Sequence, residues 1–198
     1  MVAGVDSFPL LAIPFFLLAG ELMSAGGITR RLVRFAAALV GHIWGGLANV
    51  VIVANMVMAG MSGSAVADAS TAGAILIPPM LKSGYPPGFT AAVNASAATV
   101  GPVIPPSINF VIYGSLAEVS TGRLFAGGIL PGFLMGFYMM GVSYVMARHG
   151  KFPRAARVPL SELWAATRGA AAPLLMPLMI MGGIVGGIFT PTESAVAA

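Results

Sequence analysis

The chain has 198 residues, 58% hydrophobic and only 8% charged, with a formal net charge of +4 and no cysteine. Soluble domains carry about 25% charged residues, so this chain has too little charge to cover a water-facing surface and too much apolar content for disorder. An integral membrane protein remains, without disulfides or thiolate metal sites. Its 26 glycines and 15 prolines sit oddly in a chain that must be largely helical, because both residues break helices.

Uncharged runs cover 7–20, 35–67, 69–81, 83–117, 124–147 and 169–192. A spanning helix needs roughly 20 apolar residues. The first run, extended past Glu21 to Met23, predicts a short first span. The block 43–81 predicts two apolar arms of roughly 17 residues, separated by Gly60-Met61-Ser62-Gly63-Ser64. The run 83–117 is too long for one straight helix at about 1.5 Å per residue, and Gly101-Pro102-Val103-Ile104-Pro105-Pro106 interrupts it. Runs 124–147 and 169–192 predict one span each. The stretch 148–168, with Pro153, Pro159 and Trp164, reads as a connector with room for a short interfacial helix. The final Thr192-Glu193-Ser194-Ala195-Val196-Ala197-Ala198 looks like the start of a further apolar helix, so both ends of the chain resemble cuts.

Basic residues orient this scheme. Arg30, Arg31 and Arg34 fall in one connection, Lys82 in a second, and Arg148, Lys151, Arg154, Arg157 and Arg168 in a third. The positive-inside rule makes all three cytoplasmic, with Arg123 as the exception. The first span then runs inward, the 43–81 block starts and ends on the cytoplasmic side, 88–117 crosses outward, 124–147 returns and 169–189 goes out again. The positive charge is thereby a topology signal and calls for no nucleic-acid partner. Met1-Val2-Ala3-Gly4-Val5-Asp6 lacks the basic region and the cleavage site of a signal peptide.

Non-helical backbone at membrane depth is tolerated only where protein buries it or where it lines a watery cavity. The arms flanking 60–64 are barely long enough to cross, which suits a re-entrant hairpin with its tip near mid-membrane. The tip would present serine hydroxyls and freed carbonyls, with Asp68 one turn into the second arm. These hard oxygen donors suit a small cation, and an ionisable group between long apolar runs is functional by default. The second interruption is followed by Ser107 and Asn109; its prolines forbid a continuous helix. Half-helices meeting at such a break point positive N-terminal ends at an anion, while exposed carbonyls hold Na⁺ or H⁺.

Blander readings stand beside these. Gly60, Gly63 and Ser64 suit close helix packing, prolines in membrane helices often only kink, and Asp68 could bond a tip amide. Asn94 and Thr99 could be ligands or interhelical glue. Glu21 is placed near the cytoplasmic end of its helix, paired with Arg30 or Arg31. Glu193, after Thr190-Pro191-Thr192, suits a helix start. His42, beside Trp44, reads as interfacial, and His149 as solvated.

Five segments carry a resemblance. They are Asp6-Ser7-Phe8-Pro9-Leu10-Leu11-Ala12-Ile13-Pro14, with Ala19-Gly20-Glu21-Leu22-Met23 after it; Gly63-Ser64-Ala65-Val66-Ala67-Asp68; Gly101-Pro102-Val103-Ile104-Pro105-Pro106-Ser107; and Gly187-Ile188-Phe189-Thr190-Pro191-Thr192-Glu193. In this order, across essentially the whole chain, they resemble the large membrane subunit of tripartite ATP-independent periplasmic (TRAP) transporters. The resemblance implies an all-α integral membrane fold: a multi-helix bundle with a re-entrant hairpin and a broken transmembrane helix, forming half of an inverted-repeat elevator transporter. It implies a scaffold helix and basic connection in 1–42 and a transport-type unit in 43–123, with hairpin 43–81 and broken helix 88–117. Further transmembrane helices would follow in 124–198. The family's large subunit is about twice this length, built as an inverted repeat, with helices before Asp6 and a second hairpin beyond this chain.

The resemblance further implies a multi-pass protein of the bacterial inner membrane that imports organic acids, of the C4-dicarboxylate or sugar-acid class, coupled to sodium. Na⁺ is the coupling ion; no other metal or cofactor is expected. Its partners would be the lipid bilayer, a small membrane subunit, and a periplasmic substrate-binding protein that delivers the organic acid. Ser62, Gly63, Ser64, Asp68, Gly101 and Pro102 are implied as the sodium site. Ser62, Pro105, Pro106, Ser107 and Asn109 are implied on the substrate side.

Two other classes compete. A transport-incompetent fragment or scaffold subunit predicts no sodium dependence. A rhomboid-like intramembrane serine protease is suggested by Gly60-Met61-Ser62-Gly63, but a nucleophilic serine needs a base within reach, and His42 and His149 are both assigned to the cytoplasmic face.

Overall fold

The computed structural model describes residues 8–153 and 156–197. Within them every regular element is a helix. A 3-10 turn at Phe8–Leu11 leads into α1 (Ala12–Ala25), α2 (Ile28–Val40), α3 (Gly46–Ser62), α4 (Ala65–Lys82), α5 (Pro87–Ala98), α6 (Ile108–Leu116), α7 (Thr121–His149), α8 (Leu160–Val185) and α9 (Pro191–Ala197). Arg154, the Met1 to Ser7 segment and Ala198 lie outside the described residues.

The 43–81 block folds as a helical hairpin, with α3 and α4 as its arms. Gly63 turns the chain at φ 57°, a left-handed conformation that glycine adopts without a Cβ clash. Ser64 then caps α4, its hydroxyl accepting from the Ala67 N–H at 3.4 Å. α3 is apolar all round and is the centre of the fold: Val50, Val51, Ile52, Ala54 and Ala59 are all buried. Its two buried asparagines donate to main-chain carbonyls, Asn49 to Trp44 at 3.0 Å and Asn55 to Val51 at 2.8 Å.

At the root of the hairpin Tyr85 packs against Phe89 and Phe152, with ring centroids 6.2 and 5.1 Å away. Its hydroxyl donates to the Pro153 carbonyl at 3.0 Å. This ties the α4–α5 turn to the segment after α7.

The long run 83–117 is broken as its prolines require. α5 ends at Ala98, α6 begins at Ile108, and the Pro105–Pro106 peptide between them is cis. α7 is 29 residues long and buries one stripe, Thr121 and Phe125 followed by the small residues Gly128, Gly132, Gly136, Ser143 and Ala147, spaced to share one face. Its other faces expose Leu130, Phe133, Leu134, Phe137 and Tyr138. α7 and α8 are the two helices, among the described residues, long and apolar enough to cross a membrane.

The structure adds detail in three places. The connection that carries Arg30, Arg31 and Arg34 contains the amphipathic helix α2, with all three exposed, while Leu32 and Ala36 form its buried stripe. α2 runs antiparallel along α3: Leu32 clusters with Met58 and Met61 near one end, and Gly41 meets Gly46 at the other. Among the described residues the stretch 148–168 holds no separate short helix, because α8 starts at Leu160, directly after Pro159, and runs on through Trp164 and Arg168. The short first span is helical from Phe8 to Ala25, a 3-10 turn at its start leading into a 14-residue helix, about 21 Å long.

Candidate functional site

The site grows from the two chain breaks, which fold against each other. The Ser62 hydroxyl donates to Asp68 Oδ1 at 2.6 Å, and the Ser64 N–H donates to Ser62 Oγ at 3.3 Å. Asp68 lies in the first turn of α4, is fully buried, and its second oxygen, Oδ2, has no hydrogen-bond partner. That oxygen faces Gly101 of the second break. A methyl group built on Gly101 would stand 2.7 Å from Asp68 Oδ2, 3.1 Å from the Ala98 carbonyl oxygen and 3.5 Å from the Ala65 nitrogen. Gly63 fits as closely on the other side, where a methyl group would stand 2.8 Å from the Pro106 carbonyl oxygen and 3.1 Å from the Ile108 nitrogen.

Four helix ends therefore converge here. α4 and α6 bring N-termini, with uncommitted N–H groups and positive dipole ends; α3 and α5 bring C-terminal carbonyls. One side of the junction favours an anion and the other a cation. The orphaned carboxylate oxygen is the strongest single signal, because a buried polar atom left without a hydrogen bond is costly. The residues fit a bare monovalent cation: a carboxylate oxygen, a serine hydroxyl and helix-end carbonyls, all hard donors, beside a glycine whose missing side chain leaves room.

The implied sodium-side residues Ser62, Gly63, Ser64, Asp68 and Gly101 are brought together at this junction. The Pro102 carbonyl is engaged, accepting from the Ser107 hydroxyl at 2.6 Å. Ser107 also caps α6, accepting from the Phe110 N–H at 3.3 Å, so its side chain holds the break in shape. Pro105 and Pro106 are buried beside the hairpin, and Asn109 is exposed on α6.

Asn94 acts as glue, its amide donating to the Ala69 carbonyl of α4 at 2.9 Å, while Thr99 is exposed and bonds its own turn at Ser96. Glu193 closes a capping arrangement, accepting from the Thr190 N–H and hydroxyl at 2.7 and 2.8 Å.

Glu21 is the residue whose place the sequence concealed. Gly20 packs on Ser62, a methyl group there standing 3.5 Å from Ser62 Cα, so α1 passes the hairpin tip and Glu21 lies beside it. Glu21 lines a cavity of about 40 Å³ with Thr29, Ser62, Asp68 and Thr71. The glycine before it was the one available signal, since it permits the approach.

Ser62 has no histidine base. His42 precedes α3 at its root, about 25 Å along the helix from Ser62, and Ala147, two residues before His149, packs on Gly45 at the same root.

The chain matches, over residues 1–198, the family described as the DctM component of the tripartite ATP-independent periplasmic transporter. It is 48% identical over 193 residues to a C4-dicarboxylate TRAP transporter large permease protein of Pseudomonas aeruginosa, covering 98% of this chain and 45% of that protein. It is 43% identical over 198 residues to a 2,3-diketo-L-gulonate TRAP transporter large permease protein of Escherichia coli, covering 100% and 47%. It is 41% identical over 198 residues to a sialic acid TRAP transporter permease protein of Haemophilus influenzae, covering 100% and 32%. The chain thus spans about half the length, or less, of the curated relatives it matches.

Proposed function

Because this chain belongs to the DctM component family of TRAP transporters, a family of membrane-integral permeases, we propose that it supplies the first ion site of a sodium-coupled organic-acid importer of the bacterial inner membrane. The observation that carries this reading is the orphaned Asp68 Oδ2 against Gly101. Na⁺ would be held by Asp68, Ser62 and the carbonyls that end α3 and α5. An organic acid would direct a carboxylate at the N-termini of α4 and α6, beside Gly63 and Ser107. The hairpin would be re-entrant, its tip near mid-membrane, and would move with the α5–α6 break as the substrate-carrying unit of an elevator. The three relatives' substrates, a C4-dicarboxylate, 2,3-diketo-L-gulonate and sialic acid, are all carboxylic acids, which supports that class here. A small membrane subunit and a periplasmic binding protein would complete the assembly, as the family's description as tripartite and periplasmic suggests.

A coupling ion that binds the folded state stabilises it by about 2.7 kcal/mol at a hundred times its dissociation constant. The test is thermal unfolding of the detergent-solubilised chain in NaCl, KCl and choline chloride. A shift specific to Na⁺ is expected, and Asp68→Ala should remove it. Equal melting in all three salts, or a Na⁺ shift indifferent to Asp68→Ala, sinks the reading and leaves a scaffold role.

A further inference from the structure

The cavity at the hairpin tip is lined by two unlike carboxylates. Glu21 of α1 is exposed, whereas Asp68 of α4 is fully buried and has one carboxylate oxygen unpartnered. The wall also carries three hydroxyls, from Thr29 on α2, Ser62 at the tip and Thr71 on α4. The rest of the lining is apolar, from Leu17, Ile28, Met58 and Met61. A volume of about 40 Å³ exceeds the roughly 10–15 Å³ that one water needs, so the cavity admits water or a small cation. Ser62 and Asp68 belong both to this cavity and to the junction with Gly101, and no residue of 101–107 is among those lining the cavity.

We propose that this cavity is the passage by which a small monovalent cation enters and leaves the Asp68 site, with Glu21 as the attracting charge at its mouth and Thr29 and Thr71 as the hydroxyls that replace its water. The proposal rests on Asp68 being a cation ligand. A carboxylate at a narrow opening with low-dielectric walls concentrates cations there. The hydroxyls lower the cost of shedding hydration on the way in. Asp68 is the destination, because among the described residues it is the carboxylate that combines full burial with an unpartnered oxygen.

The experiment is a Na⁺ titration of thermal stability in the full chain, comparing wild type, Glu21→Gln, Glu21→Lys, Asp68→Asn and the exposed control Glu118→Gln. Both Glu21 variants keep a long polar side chain at an exposed position, so folding is preserved. At low ionic strength Glu21→Gln should raise the Na⁺ midpoint about fivefold, the size of one charge acting over several ångströms. Glu21→Lys should raise it further and Glu118→Gln should leave it unchanged. In choline chloride at about 1 M, where the Debye length is roughly 3 Å, the differences should collapse. If both Glu21 variants match Glu118→Gln while Asp68→Asn abolishes the response, the passage is overturned and the Asp68 site stands. If the Glu21 effect persists undiminished in high salt, Glu21 is a ligand and the guiding role is overturned. If Asp68→Asn keeps the full Na⁺ response, the site itself falls and the passage with it.

Discussion

Asp68 and Gly101, 33 residues apart in the chain, meet where the hairpin tip rests on the broken helix: the space a Cβ would occupy on Gly101 lies 2.7 Å from Asp68 Oδ2. Neither break makes a site by itself. The hairpin supplies the carboxylate and the second break supplies the bare backbone.

Gly101→Ala should be disproportionately harmful. The new methyl group would press on both Asp68 Oδ2 and the Ala98 carbonyl, and overpacking of this kind costs about 1–3 kcal/mol. Chemical denaturation should show that loss, and any Na⁺-dependent stabilisation should weaken with it. A variant as stable as wild type would mean the two breaks do not close on each other.

Gly63→Ala should lose stability for two separable reasons. Its φ of 57° is left-handed, costing an alanine about 1 kcal/mol, and its methyl group would stand 2.8 Å from the Pro106 carbonyl oxygen. Gly84→Ala is the control, with φ 86° and nothing within 4 Å. Melting temperatures should fall in both and clearly further in Gly63→Ala.

The glycines of α7 sort into an order. At Gly128 an added methyl group meets the Val103 carbonyl oxygen at 2.6 Å, a main-chain obstacle. At Gly136 it meets only the flexible side chain of Met56. Gly127 and Gly141 have nothing within 4 Å, and there alanine gains up to about 1 kcal/mol of helix propensity. Alanine should therefore destabilise most at 128, less at 136, and be neutral or stabilising at 127 and 141. Equal effects at all four positions would contradict the packing.

Ser107→Ala removes the cap of α6 and the bond that holds Pro102. A lost N-cap costs about 1 kcal/mol. Amide exchange should quicken first in 108–111, at the start of α6, before any change in α3.

The parts of the fold that depend on local chemistry could be seen in the chain. Long uncharged runs marked α7 and most of α8, and glycine and proline clusters marked both breaks. Helices on which charge and burial coexist are harder to read. Three arginines share α2 with Leu32 and Ala36, whose spacing of four packs the helix along α3. Glu162 and Arg168 likewise lie inside α8. For the candidate site, the residue types at the breaks were legible, but their meeting was not, because it depends on which glycines allow two segments to close. Glu21 shows this most sharply. Its charge suggested arginine partners nearby in sequence, whereas Gly20 lets α1 lie against Ser62.

The hairpin is fastened unevenly. Its root is clamped by Tyr85, Phe89 and Phe152 and by the bond to Pro153, while its tip touches the second break through glycines. α3 is also packed along its length by α2, α5 and α7, so a tilt at the root would carry the hairpin and its neighbours together, and leverage follows from its length. With an arm of 17 residues, about 25 Å long, a tilt of about 5° at the root carries the tip roughly 2 Å. That distance is enough to lift Asp68 off Gly101, so slight give in three aromatic rings would be read out as the opening of the junction a whole helix away.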